Sequence, residues 1–256
     1  MTVHDLYNMV DRFAPFSTQA EGDNSGFLVG SSSQEVSCIL FALDVTQAVI
    51  DEAVSLGANL IITHHPLMFS PVRSLTDTDY EGRLIRRLTR ENISLISAHT
   101  NLDQAHGGVN DTLAERCGLT EISGEGYFRC GLLPAQTSAR QFADELKATL
   151  HTEVRLMGSG NTVIRKIGLS SGGGSDMWRF AADAGCDAFI SGEIKHHCAL
   201  ALADCGIVGF ECGHFATEEP GIRALASALQ KSLVQLQCNM RIYVSDLSAY
   251  SFPRQT

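Results

Sequence analysis

The chain has 256 residues, 44% hydrophobic and 19% charged, which is length enough for one large domain or two modest lobes and excludes a mini-protein held together by disulfides alone. No apolar run approaches the roughly 20 residues that cross a bilayer, and Met1-Thr2-Val3-His4-Asp5 carries neither a basic nor an apolar leader, so a soluble, cytoplasmic protein without membrane contact is expected. Nineteen Lys and Arg against 29 Asp and Glu leave a formal charge of −10, which disfavours nucleic acid as a partner.

Strand and helix patterns alternate along the chain, as in a sheet whose parallel strands are joined by crossover helices. The apolar run at 38–43 predicts a buried strand. Thr46 caps a helix carrying Val49, Ala53 and Leu56 at helical spacing, Gly57 stops it, and 60–62 is the next strand of a right-handed βαβ unit. A helix is predicted over 82–91, with Arg83, Arg86, Arg87 and Arg90 on a solvated face, followed by a strand at 94–98 and a helix over 109–117 stopped by Gly118. Glycine, serine and glutamate cluster at 119–126, which places a boundary there between an N-terminal lobe, 1–125, and a C-terminal lobe, 126–256. The C-terminal lobe opens with a strand at 128–133, a helix capped by Ser138 and running to Leu150, and a strand at 154–157.

The second half then repeats the first: a strand at 164–169, the turn Gly172-Gly173-Gly174, a helix over 175–184, Gly185 as a stop, and a strand at 188–190. One constant shift carries Gly57 onto Gly185, Ile62 onto Ile190 and Thr63 onto Ser191, consistent with an internal duplication. The predicted fold class is therefore α/β, with two similar lobes, each a mixed, largely parallel sheet flanked by helices, and a metal cleft between them. The triple glycine matches no nucleotide-binding fingerprint and reads as a tight turn. None of the eight cysteines forms a C-x-x-C pair, so reduced, mostly buried thiols are expected. Cys212, two residues before His214, would serve as a nucleophile only as a thiolate, and a core position suits its neighbours better.

Chemistry gathers just past the predicted strands, where ligands of open α/β sheets bind. Three stretches stand out: His64-His65-Pro66, His99-Thr100-Asn101-Leu102-Asp103, and Gly213-His214 followed by Glu218. Adjacent residues on an extended strand point to opposite faces, so His64 and His65 are expected to serve two ions side by side rather than one. Thr217 reads as a helix cap and Pro220 as a first-turn proline, so His214 and Glu218 share a face if the intervening turn is helical. Neutral imidazoles and carboxylates in such company predict a metal site with one or two histidines per ion and a shared acid.

These residues carry a resemblance that runs nearly end to end. Asp23-Asn24-Ser25-Gly26-Phe27-Leu28-Val29-Gly30, Ala42-Leu43-Asp44-Val45-Thr46, Thr63-His64-His65-Pro66-Leu67, Ser97-Ala98-His99-Thr100-Asn101-Leu102-Asp103, Gly107-Gly108-Val109-Asn110-Asp111, Ser191-Gly192-Glu193-Ile194-Lys195-His196-His197 and Gly213-His214-Phe215-Ala216-Thr217-Glu218 follow one another in order. The sequence resembles the NGG-one-interacting-factor-three-like family of dinuclear metal-centre proteins, also labelled GTP cyclohydrolase type two homologues. The resemblance implies that His65 and Asp103 bind one ion, His64 and His214 the other, and that Glu218 bridges both. It also implies the family's short bacterial form, without an inserted central domain, and a toroidal homohexamer. Phe215 stands where tyrosine is common.

Two divalent ions would lower the pKa of a water between them, which makes hydrolysis of a nucleotide-like, cyclic amide or phosphoester small-molecule substrate the expected chemistry. Lys195, His196, His197 and His99 are candidates for proton transfer or anion binding. The alternative is a metal-binding or metal-delivery protein, or an oligomeric scaffold, without turnover. Nitrogen and oxygen ligands suit iron, manganese, zinc, cobalt or nickel.

Overall fold

Thr2 opens the first helix, α1 (Val3–Phe13), through a reciprocal cap in which its hydroxyl accepts the Asp5 N–H and its own N–H donates to the Asp5 carboxylate at 2.8 Å. The computed structural model describes residues 1–248. After α1 come β1 (Gly26–Val29), β2 (Cys38–Ala42), α2 (Gln47–Leu56), β3 (Leu60–Thr63), α3 (Tyr80–Arg90), β4 (Ser94–Ser97) and α4 (Thr100–Gln104). They are followed by α5 (Val109–Arg116), β5 (Thr120–Ser123), β6 (Arg129–Ser138), α6 (Ala139–Leu150), β7 (Arg155–Met157) and β8 (Val163–Ser170). The last elements are α7 (Trp178–Asp183), β9 (Ala188–Ser191), α8 (His196–Asp204), β10 (Val208–Glu211), α9 (His214–Gln235) and β11 (Arg241–Val244). The chain is an α/β protein with two mixed sheets flanked by helices. No helix among the described residues is long and apolar enough to cross a membrane.

The contacts divide the chain into two compact units: Met1–Leu102 with the described chain from Ile222 onward, and Asp103–Gly221. The division by contacts falls at 102/103 and 221/222 rather than at 119–126, and β11, at the chain's end, joins the first unit because it pairs in parallel with β2. Only the backbone pairing reveals that return.

In the first unit the strand order is β1-β4-β3-β2-β11, with β1 antiparallel to β4 and the other three pairs parallel. The strand β2 is buried along its whole length, as are β3 and β4, which explains why they read as continuous apolar runs rather than alternating ones. Thr46 caps α2 and Gly57 ends it in the left-handed conformation, φ +66°, as the sequence predicts. Register is what matters for function: Ala42 lies opposite Thr63, and Thr63 opposite Ser97. The three parallel strands thus end level, and the segments after them leave the sheet at one edge.

The second unit has the order β5-β6-β8-β9-β10-β7, with the parallel pairs β8/β9 and β9/β10 at its centre and antiparallel pairs outside them. The same levelling recurs, since Ser170, Ser191 and Glu211 stand side by side. One face packs on Leu113, Leu133, Phe142, Leu146 and Phe210, and the other on Phe128, Phe189, Cys198 and Leu202. Gly185 takes φ +65° before β9, matching Gly57 before β3, the two positions related by the constant shift noted above.

Two local expectations are corrected. The helix predicted over 175–184 is split into a 3-10 turn, Gly174–Met177, and α7, because three preceding glycines give the start little helical propensity. The last helix starts at His214, so Thr217 and Pro220 lie inside it rather than capping it. All eight cysteines are free thiols; Cys205 is exposed and Cys238 half-buried, the rest buried. Burial pushes the Cys212 thiol well above its ordinary value, which suits an inert core residue rather than a nucleophile.

Candidate metal centre

The level end of the first unit's parallel strands assembles three imidazoles. His64 and His65 follow the last residue of β3, and their N–H groups extend the ladder to the Ala42 and Leu43 carbonyls at 3.3 and 2.9 Å. The Thr63 hydroxyl lies 2.8 Å from both the Ser97 hydroxyl and the His65 carbonyl, which pins this corner to β4. Beyond the strand the up-and-down alternation no longer applies, so the His64 and His65 rings turn toward each other, with centroids 5.0 Å apart. His99 joins them at 5.1 and 5.6 Å. One ring nitrogen from each of the three lies within 4.8 Å of the other two.

Each of these rings is held through Nδ1. His64 Nδ1 donates to the Ala98 carbonyl at 2.9 Å, His65 Nδ1 to the Asp44 carboxylate at 2.7 Å, and His99 Nδ1 to Asp23 at 2.9 Å. A carbonyl oxygen only accepts, so the His64 proton sits on Nδ1 and the neutral ring keeps its lone pair on Nε2. Carboxylate partners set the same tautomer for His65 and His99. Burial alone would raise the Asp23 carboxyl, but hydrogen bonds from His99, Thr100 and the Asn24 N–H outweigh it and hold the group well below the usual carboxylate range.

Past the level end of the second unit's parallel strands, β10 leads into His214 and Glu218. His214 is the first residue of α9 and Glu218 sits one turn later on the same face, as the spacing predicts. His214 lies between two carboxylates, with Nδ1 2.9 Å from Glu193 and Nε2 3.0 Å from Glu218. A carboxylate oxygen of Asp103, in α4, lies within 4.8 Å of one from Glu218. The Gly172 turn closes over this pair: a Cβ at Gly172 would fall 1.8 Å from Glu218 Oε1 and 3.1 Å from His214 Nε2. Asn110 ties the parts together, donating to the Asp103 carbonyl at 3.0 Å and accepting the Ser171 N–H at 2.8 Å. The Thr217 hydroxyl accepts the Gly172 N–H at 3.1 Å.

This donor set fits divalent cations. Imidazoles fixed with Nδ1 protonated present Nε2 as a ligand atom, and a histidine oriented by a carboxylate is the usual partner of a bound metal. A neutral His214 with its proton committed to Glu193 would turn a lone pair onto Glu218, which is repulsive unless a proton or a cation stands between them.

A family model described as Duf34/NIF3 (NGG1p interacting factor 3) matches residues 1–250. The chain belongs to the Duf34/NIF3 family. It is 30% identical to a Clostridium acetobutylicum protein named GTP cyclohydrolase 1 type 2 homolog, over 98% of this chain and 99% of the relative. A protein of the same name from Campylobacter jejuni is 33% identical over 96% and 97% of the two chains. Among solved structures, a Staphylococcus aureus hypothetical protein superposes with a TM-score of 0.93 at 30% identity, covering 98% of both chains. Reduced HcgD from Methanocaldococcus jannaschii gives 0.82 at 28% identity, covering 96% of this chain and 98% of that one.

In this Duf34/NIF3 chain the four candidate catalytic residues have different partners. His99 stands with the two other imidazoles, whereas Lys195 and His197 pair with Asp176 at 2.7 and 3.6 Å. His196 is exposed at the start of α8. Sequence reasoning missed the groups that hold or border these side chains: Asp44 on His65, Asp23 on His99, Glu193 on His214, and Asn110 and Gly172 beside Asp103 and Glu218. Their signal was position, since Asp44 and Glu193 each lie two residues past a buried strand, as His65 does. On α3, Arg83, Arg86 and Arg90 are exposed as expected, whereas Arg87 is half-buried and paired to Asp51 at 2.6 Å.

Proposed function

We propose that His64, His65, Asp103, His214 and Glu218 hold two divalent metal ions and that the loaded protein is a hydrolase of a nucleotide-like, cyclic amide or phosphoester substrate. The observation that carries this reading is the placement of His214 between Glu193 and Glu218, at 2.9 and 3.0 Å, an arrangement that calls for positive charge at Nε2. The relatives named as GTP cyclohydrolase homologs support the substrate class.

A bound pair of divalent ions supplies Lewis acidity and brings the pKa of a water toward neutrality. The chain's residues do the rest. Asp44, Ala98 and Glu193 keep three imidazoles in the ligating tautomer. His99, fixed through Nδ1 by the ionised Asp23, presents Nε2 beside His64 and His65 to accept and return a proton. Lys195 and His197 are assigned elsewhere, because both turn to Asp176. By its family resemblance the protein is also proposed to assemble as a cytoplasmic homohexamer.

The test is elemental analysis of protein purified without chelator, followed by a panel of nucleotides, phosphodiesters and cyclic amides with wild type and His65→Ala. Two ions per chain and turnover lost in the variant are expected. Fewer than two ions refutes the centre, and loaded protein that turns over nothing while passing its metal to an acceptor refutes the hydrolase in favour of delivery.

A further inference from the structure

A further group of side chains that could hold a metal ion lies in the second unit, and its sulfur donor sets it apart. Asp176 stands in the 3-10 turn after β8, and His197 and Cys198 are consecutive in the first turn of α8. The Cys198 thiol is 3.5 Å from Asp176 Oδ1 and His197 Nε2 is 3.6 Å from the same oxygen. A ligand atom from each residue lies within 4.8 Å of the others. Zinc bonds of about 2.0–2.1 Å to nitrogen and oxygen and about 2.3 Å to sulfur, at tetrahedral angles, put neighbouring ligand atoms about 3.3 to 3.6 Å apart. The sulfur–oxygen edge of that figure is thus already present, and the nitrogen–oxygen edge is about 0.3 Å longer than the ideal.

The surroundings suit coordination. Lys195 donates to Asp176 Oδ2 at 2.7 Å, which leaves Oδ1 facing the sulfur and the imidazole and fixes the carboxylate's orientation. Cys198 is buried while Asp176 and His197 are exposed, so an ion seated here keeps sulfur on its protein side and solvent on the other. Burial, with the hydrogen bond to and the charge of Asp176, raises the Cys198 thiol, and the Ser175 hydrogen bond and the Lys195 charge work the other way.

We propose that Asp176, His197 and Cys198 form a separate zinc site with three protein ligands and a fourth position open to solvent. Mixed sulfur, nitrogen and oxygen donors favour zinc over magnesium or calcium, and three ligands with an open position are the pattern of sites that bind a further small molecule or an exogenous anion. On binding, the sulfur–zinc bond replaces the S–H bond, the proton leaves to solvent, and no electron is transferred. The site shares no residue with the five ligands proposed above, so it stands or falls on its own.

Full-length reduced protein titrated with Co²⁺ tests this, because a sulfur-to-cobalt charge-transfer absorption in the near ultraviolet reports a thiolate ligand that the nitrogen and oxygen centre cannot supply. The expected result is such a band together with one cobalt equivalent that Cys198→Ser loses, that His197→Ala and Asp176→Asn weaken at least tenfold, that excess zinc erases, and that His65→Ala leaves intact. His197 and Asp176 are exposed, so their variants report even if Cys198→Ser fails to fold. No sulfur–cobalt band at saturating metal, or a band undiminished in His197→Ala and Asp176→Asn, overturns the proposal.

Discussion

Substituting Gly172 by alanine separates the fold from the proposed metal centre. Gly172 has φ +52°, and an added Cβ would stand 1.8 Å from Glu218 Oε1, 2.8 Å from its Cδ and 3.1 Å from His214 Nε2. The left-handed backbone costs an L-residue about 1–2 kcal/mol. For a chain of this size that is a fall in Tm of about 2–8 °C, at about 2–4 °C per kcal/mol. The fold is expected to survive the collision by swinging the end of the Glu218 side chain aside, and the proposed metal centre, which needs that carboxylate as a ligand, is expected not to. Disturbing even an orienting partner of a metal ligand lowers affinity about 10- to 100-fold, so displacing the ligand itself is expected to lower it by at least that much. Gly173→Ala is the control, because its Cβ meets no heavy atom within 4 Å and its φ is −79°. Metal content and competition-derived Kd, measured beside thermal unfolding for both variants, decide the matter. Equal metal affinity in Gly172→Ala and Gly173→Ala would refute the assignment of Glu218 as a ligand pressed against this turn.

Asp44→Ala removes the acceptor that holds His65 Nδ1 at 2.7 Å, and metal affinity should fall about 10- to 100-fold with little loss of stability, partly restored in Asp44→Asn; calorimetric titration with metal reads both. Asp111 lies under Arg129 with the Gly107 N–H on its other oxygen at 2.8 Å, and although burial alone would raise its carboxyl, the bonds from Gly107 and Arg129 and the charge of Arg129 outweigh it and lower it. The ionised carboxylate therefore stabilises the fold above the unfolded value of about 3.9, and this is lost as pH falls below it. Asp111→Asn should cost about 3 kcal/mol at neutral pH by denaturant unfolding, and the gap to wild type should narrow below about pH 4; a gap constant with pH would contradict the linkage. Phe142, 2% exposed, sits edge-on to Phe210 with ring centroids 5.4 Å apart, so Phe142→Ala should cost about 3–5 kcal/mol in urea unfolding, and a cost under about 1 kcal/mol would place it outside the core.

Much of this architecture was legible from local chemistry. The helix between Thr46 and Gly57 needs only a capping hydroxyl, helical spacing of apolar residues and a glycine that tolerates positive φ, all within one stretch of chain. Buried strands such as β3 and β9 announce themselves because both of their faces must be apolar. The stretches that hold the proposed ligands stood out for a related reason, since imidazoles and carboxylates gather past the ends of such strands, while the choice of the five residues as a set came from the family resemblance. The α7 segment was misread because three glycines lower propensity in a way that apolar spacing does not register, and Thr217 because a hydroxyl inside a helix and one at its cap look alike in sequence.

Residue order alone thus determined the alternation of strands and helices, the positions of most turns, the reduced state of the thiols and the kinds of donor atom that follow the strands. Tertiary structure decided which strands end level with one another, that the chain's last strand returns to its first sheet, and which nitrogen of each histidine is committed to Ala98, Asp44, Asp23 or Glu193. The division has one physical origin. Caps, turns and apolar spacing act over a few neighbouring residues, whereas register and hydrogen-bond partnership join groups as far apart as Asp23 and His99, whose meeting depends on every element folded between them.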